Sequence, residues 1–130
     1  MAKERKILVI DDDESIIELL KDRLQTAGYK VVIAFDGMQG VRVAHQEKPD
    51  LIILDIMLPA GGGYIVLDRL KISTDTVFIP VITISCTSPE DVVKVIIEKQ
   101  VDKHGGKIFV MPKPINFEKL IEKIKEFIGE

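Results

Sequence analysis

The chain is poor in the residues that staple or metallate small folds: its 130 residues include one cysteine, Cys86, and two histidines. A lone cysteine forms no internal disulfide, and one Cys with two His falls short of the ligand set of an ordinary structural zinc site. Long hydrophobic runs are missing too. The longest stretch without a formal charge, Thr76 to Pro89, contains two prolines and is shorter than the ~20 apolar residues a membrane-spanning helix needs. Met1-Ala2-Lys3-Glu4-Arg5-Lys6 leads into only four apolar residues before three aspartates, without the apolar core and cleavage site of a signal peptide. Basic excess is also lacking: 18 Lys and Arg face 21 Asp and Glu, a net charge of −3, and the basic residues are interleaved with acids rather than gathered into a nucleic-acid footprint. These absences lead us to expect a reducing, cytoplasmic location and a domain that contacts neither membrane nor nucleic acid.

What is present suits one domain, since a chain of this length buries roughly two-thirds of its unfolded surface. Five apolar runs stand out: Ile7-Leu8-Val9-Ile10, Val31-Val32-Ile33, Leu51-Ile52-Ile53-Leu54, Val81-Ile82-Thr83-Ile84 and Ile108-Phe109-Val110-Met111. Short, largely β-branched runs bounded by polar residues suit strands buried on both faces of a parallel sheet. Helical spacing fills the gaps. Asp13 to Ala27 puts Ile16, Ile17, Leu20, Leu24 and Ala27 on one face and stops at Gly28, and Asn116 to Ile128 repeats Phe117, Leu120, Ile121, Ile124, Phe127 and Ile128 behind an Asn116 cap. Weaker helical patterns cover Asp36 to Glu47, Gly63 to Ile72, and Pro89 to Gln100 behind a Ser88 cap. Alternating strands and helices describe an α/β, doubly wound, flavodoxin-like sheet, expected in the order 2-1-3-4-5. The domain is expected to span 1-130, with a core of about 5-129 and no output domain.

In such sheets the functional crevice lies beyond the carboxyl ends of the strands. Asp11-Asp12-Asp13 follow the first strand, Asp55 the third, Ser85 the fourth and Lys113 the fifth. Carboxylates converging from adjacent strand ends repel one another unless a cation sits between them, and Mg²⁺ is the natural choice because it prefers oxygen ligands and carries phosphoryl groups. A carboxylate can itself be the nucleophile and become an aspartyl phosphate. Asp55, central in the cluster, is then the acceptor, with Ser85 and Lys113 suited to hold phosphoryl oxygens. Each residue also has an everyday reading: Asp13 as a helix cap, Ser85 as a turn hydroxyl, Lys113 as a solvated surface cation. Four strand ends carrying complementary parts of one site favour the chemical reading.

These segments, with Asp50-Leu51-Ile52-Ile53-Leu54-Asp55-Ile56-Met57-Leu58-Pro59, Ile79-Pro80-Val81-Ile82-Thr83-Ile84-Ser85 and Lys113-Pro114, resemble the receiver domain of two-component response regulators over almost the whole chain. The resemblance implies that Asp55 is phosphorylated by a sensor histidine kinase or phosphotransfer protein and that a downstream protein reads the change. It further implies that Asp11, Asp12, Asp55 and the backbone carbonyl of Met57 hold Mg²⁺, with Asp11 acting partly through water. Ser85 and Lys113 complete the set, the Lys113-Pro114 bond is expected to be cis, and Met57 and Thr87 match positions that tune self-dephosphorylation. Such a domain promotes its own phosphorylation and dephosphorylation but is not a turnover enzyme.

The sequence departs from that pattern in several places. Cys86 stands where Ala or Gly is usual and is expected to be a small buried filler. The aromatic switch position falls on Val110, with Phe109 beside it, so either the rotating ring is absent or a bulge at Pro112 shifts the strand. Gly61-Gly62-Gly63 reads as a permissive turn before a helix. The segment Glu98 to Lys107 is longer than usual. Val92, Val93, Val95, Ile96 and Ile97 span more of a helix than one core face needs, which marks the fourth helix and fifth strand as a partner or homodimer face. Three rival functions remain. An aspartate phosphatase would want a second Asp at Met57, a flavodoxin-like carrier would be repelled by Asp11-Asp12-Asp13, and a receiver-like interaction module would never be phosphorylated.

Overall fold

The computed structural model describes residues 4–59, 62–99, 103 and 105–129. Strands β1 (Lys6–Ile10), β2 (Lys30–Ala34), β3 (Leu51–Asp55), β4 (Val81–Ser85) and β5 (Ile108–Pro112) form one parallel sheet in the order 2-1-3-4-5. They alternate with α1 (Glu14–Thr26), α2 (Gly37–Glu47), α3 (Gly62–Ile72), α4 (Pro89–Glu98) and α5 (Phe117–Ile128). Among the described residues no helix is long and apolar enough to cross a membrane.

Central strands β3 and β4 are buried at every residue, which is why their sequences run apolar without alternation. Alternate side chains feed two cores. Leu8, Ile10, Ile52 and Leu54 meet Val66, Leu67 and Leu70 of α3 and Val92 and Ile96 of α4, while Ile7, Val9, Leu51, Ile53, Ile82 and Ile84 meet Ile17, Leu20 and Leu24 of α1 and Leu120 and Ile124 of α5. Four of the five helices start at a side-chain cap: Asp13, Asp36, Ser88 and Asn116 each accept a first-turn amide. Asp13 and Asn116 are the caps expected of them, Ala27, expected as the last residue of the first helix, is its C-cap, and Gly28 follows α1 at φ +98°.

Three local expectations are resolved. The register from Val81↔Ile108 to Ser85↔Pro112 is unbroken, so Pro112 marks no bulge; as a residue of an edge strand it can lack an amide proton without disturbing the sheet. Phe109 therefore packs on the α5 side, 6.3 Å from the Phe127 ring, and Val110 faces the α4 side. No aromatic ring occupies the switch position there. The triple glycine is more than a turn, since Gly62 and Gly63 lie inside α3; Gly61 is outside the described residues. Of the long segment before β5, residues 100–102 and 104 are likewise outside them.

One buried group gave no warning in the sequence. Lys71, at the end of α3, is fully buried and its Nζ donates to the carbonyls of Val77 (2.9 Å) and Ile79 (3.0 Å). Burial lowers its pKa from 10.5 to about 8. Below the folded value both states are charged and the burial cost is fully present; above it the unfolded chain binds more protons, so this contribution to stability rises with pH up to the unfolded value. Urea midpoints are expected to climb between about pH 8 and 10 in the wild type relative to Lys71→Met; parallel curves would contradict this.

Candidate phosphoacceptor and metal site

Three strand ends share one local device. The last polar side chain turns one oxygen back onto the amide two residues ahead: Asp11 Oδ1 accepts from Asp13 (2.9 Å), Asp55 Oδ1 from Met57 (2.9 Å) and Ser85 Oγ from Thr87 (3.0 Å). These short turns use the tendency of Asp and Ser to bond nearby backbone. Each carboxylate is thereby fixed with its second oxygen left over.

Those second oxygens meet at one cation. Lys113 Nζ lies 3.7 Å from Asp55 Oδ2 and 3.8 Å from Asp11 Oδ2. The lysine is held by its own backbone, whose amide donates to the carbonyl of Ser85 (2.8 Å), and the Lys113-Pro114 bond is cis. Asp11, Asp55 and Ser85 are buried, whereas Asp12 is exposed. Asp11 Oδ2 is buried without a hydrogen-bond partner. Burial pushes the Asp11 carboxyl up from 3.8 to about 6; the Asp13 amide opposes this, the nearby Asp55 charge adds to it, and Lys113 offsets part of it.

Carboxylate oxygens of Asp11, Asp12 and Asp55 lie within 4.8 Å of one another. An orphaned buried oxygen beside two more carboxylates is a set of hard donors, the kind that suits Mg²⁺. Across the rim, Thr87 Oγ1 donates to Met57 Sδ at 3.4 Å, bringing the two tuning positions into contact. Ser85 stands at the end of β4, between the strands that carry Asp55 and Lys113. Cys86 corrects its expectation: it is exposed, because it follows the last ladder residue Ser85 and turns outward before the Ser88 cap. The amides of Asp13 and Met57, which aim the carboxylates, were missed in the sequence; an Asp closing a strand just before a turn was the available signal.

Over residues 7–125 the chain matches the family described as the response regulator receiver domain. It is 34% identical over 123 residues to RpaA, a DNA-binding dual master transcriptional regulator of Synechocystis, covering 95% of this chain and 48% of RpaA. To the polar-differentiation response regulator DivK of Brucella anthropi it is 27% identical over 126 residues, covering 97% and 98%. To PhoP, the alkaline phosphatase synthesis transcriptional regulatory protein of Bacillus subtilis, it is 49% identical over 67 residues, covering 52% and 28%. The chain thus spans less than half the length of RpaA and PhoP. Among solved structures, the chemotaxis protein CheY4 of Vibrio cholerae superposes with a TM-score of 0.78 at 29% identity, covering 96% and 99%. The signal receiver domain of a histidine kinase from Syntrophus aciditrophicus gives 0.80 at 30%, covering 96% and 90%. With a match reaching from its first strand into its last helix, this chain belongs to the receiver domain family of two-component response regulators.

Proposed function

We propose that the domain is a phosphorylation switch in which Asp55 accepts a phosphoryl group, with Mg²⁺, from a sensor histidine kinase or a phosphotransfer protein in the cytoplasm. The observation that carries this reading is the meeting of Asp55 Oδ2 and Asp11 Oδ2, which has no hydrogen-bond partner, at Lys113 Nζ. Asp11, Asp12, Asp55 and the Met57 carbonyl would hold the ion, which supplies positive charge against the crowded carboxylates and the incoming phosphoryl oxygens. Asp55 attacks phosphorus, a new O–P bond forms, and the bond to the donor's leaving group breaks. Lys113 then pairs with a phosphoryl oxygen instead of the lost carboxylate charge, and the Ser85 hydroxyl donates to another. Water attack at phosphorus reverses the state, with Met57 and Thr87 flanking that approach.

Recruiting the Ser85 hydroxyl to the phosphate draws it from the Thr87 amide, and the Ser85 carbonyl is tied to the Lys113 amide after β5. That couples the acceptor to α4 and β5, where Val93 and Ile97 are 41% and 58% exposed. This apolar surface is the proposed face for a downstream protein or a second copy. Beryllofluoride, which mimics an aspartyl phosphate, tests the site: ¹⁹F NMR is expected to show a bound species that needs Mg²⁺ and vanishes with EDTA or in Asp55→Asn. A bound signal that survives in Asp55→Asn would overturn the assignment.

A further inference from the structure

The chain has four arginines, at positions 5, 23, 42 and 69. Arg5 pairs with Asp50 and Arg23 stacks over the Phe117 ring. Arg42 on α2 and Arg69 on α3 make no ion pair, hydrogen bond or ring contact among the described residues. Both border the same cavity of about 400 Å³, floored by Val41, Ile65 and Val66 and edged by Met38. Two of its apolar walls are strongly exposed, Met38 at 84% and Ile65 at 52%.

The sequence builds this groove in a particular way. A Cβ on Gly37 would sit 2.6 Å from Val66 Cγ2, so glycine lets the start of α2 close onto α3. The acid at the start of α2 is its Asp36 cap, which is turned onto the Gln39 amide, and α3 has no acid in its first turn. Met38, Val41 and Arg42 on α2 and Ile65 and Arg69 on α3 recur at helical spacing, forming two parallel stripes. An apolar floor between unpaired cations, on a protein of net charge −3, is complementary to an acidic segment with aliphatic anchors and poorly suited to a basic or purely polar one.

We propose that the α2–α3 groove docks an amphipathic helix of a partner protein, its aliphatic side chains at i and i+4 seated on Val41, Ile65 and Val66 and its flanking carboxylates paired with Arg42 and Arg69. The groove is separate from the α4–β5 face, and its occupation does not require Asp55 to be phosphorylated.

The probe is a synthetic helical peptide of about twelve residues with leucines at i and i+4 flanked by glutamates, compared with its lysine-flanked twin. Titrated into ¹⁵N-labelled wild-type protein, the acidic peptide should give saturable shifts confined to residues 37–42 and 62–69. It should bind roughly fivefold more weakly to each of Arg42→Glu and Arg69→Glu. In the double variant the preference should invert toward the lysine peptide, a result that a fold defect cannot produce. The proposal is overturned by absence of saturable shifts up to about 1 mM peptide, by shifts centred elsewhere, or by equal binding of the lysine peptide. It is equally overturned if sedimentation shows the groove filled by a second copy, with association lost in the double variant. Repeating the titration on Asp55→Asn separates this surface from the switch: unchanged peptide binding is expected, and loss of binding would contradict independence from the acceptor.

Discussion

Asp11→Asn is expected to make the metal-free domain more stable at pH 7.5 while removing most of the stabilisation that Mg²⁺ provides. The wild-type carboxyl is fully buried, one of its oxygens has no hydrogen-bond partner, and its pKa stands near 6 instead of 3.8. Such a group contributes stability below the unfolded value and loses it as pH rises through the folded value, so at pH 7.5 the ionised Asp11 carries a cost of up to about 3 kcal/mol. Asparagine keeps an oxygen for the Asp13 amide and carries no charge. Urea denaturation in EDTA should therefore show wild type weakening from about pH 4 through 6 relative to the variant, which should exceed it by about 2 kcal/mol at pH 7.5. Added Mg²⁺ should raise the wild-type midpoint strongly and the variant's little. A variant no more stable than wild type at pH 7.5 would contradict the reading of Asp11 as a strained, metal-seeking carboxylate.

The second large effect concerns the loop that carries Met57. A Cβ on Gly63 would lie 2.2 Å from the Ile56 carbonyl oxygen and 2.4 Å from its Cα, both backbone atoms. Backbone cannot swing aside as a side chain can, so α3 would have to withdraw from the turn after Asp55. Gly63→Ala should cost about 3 kcal/mol or more, the range of severe overpacking. Its neighbour is the control: at Gly62 the nearest atom is Leu58 Cβ at 3.4 Å, and Gly62→Ala should fall within about 1 kcal/mol of wild type, because alanine favours the helix. Chemical denaturation of the pair decides. If the two alanines behave alike, the close approach of α3 to Ile56 is not what this glycine serves.

The sheet was legible because Leu51-Ile52-Ile53-Leu54 and Val81-Ile82-Thr83-Ile84 are short, apolar and bounded, and the strand ends then placed Asp11, Asp55, Ser85 and Lys113 on one rim. Helix caps were legible for the same local reason: Asp13, Ser88 and Asn116 bond amides within their own turn. Features set by long-range packing were not. Lys71 is a charged residue in an amphipathic stretch, and only the loop from Ser73 to Pro80 folding over it makes it a buried donor. Cys86 was read as buried from its residue type, whereas its exposure follows from where β4 ends. The place of Phe109 required a register, which unbroken pairing with Ile82 supplies. The unpaired state of Arg42 and Arg69 needed every neighbour in place.

The central claim is that Asp55 is the phosphoacceptor, and intact mass after incubation with acetyl phosphate tests it most directly. With Mg²⁺ the wild type should gain a single phosphoryl group, and Asp55→Asn or wild type in EDTA should gain none. A donor protein phosphorylated on histidine serves as a second source, since exposed Cys86 stands beside the site and bears on access of the small molecule. Wild type that stays unmodified by both donors, or an adduct that persists in Asp55→Asn, would contradict the account.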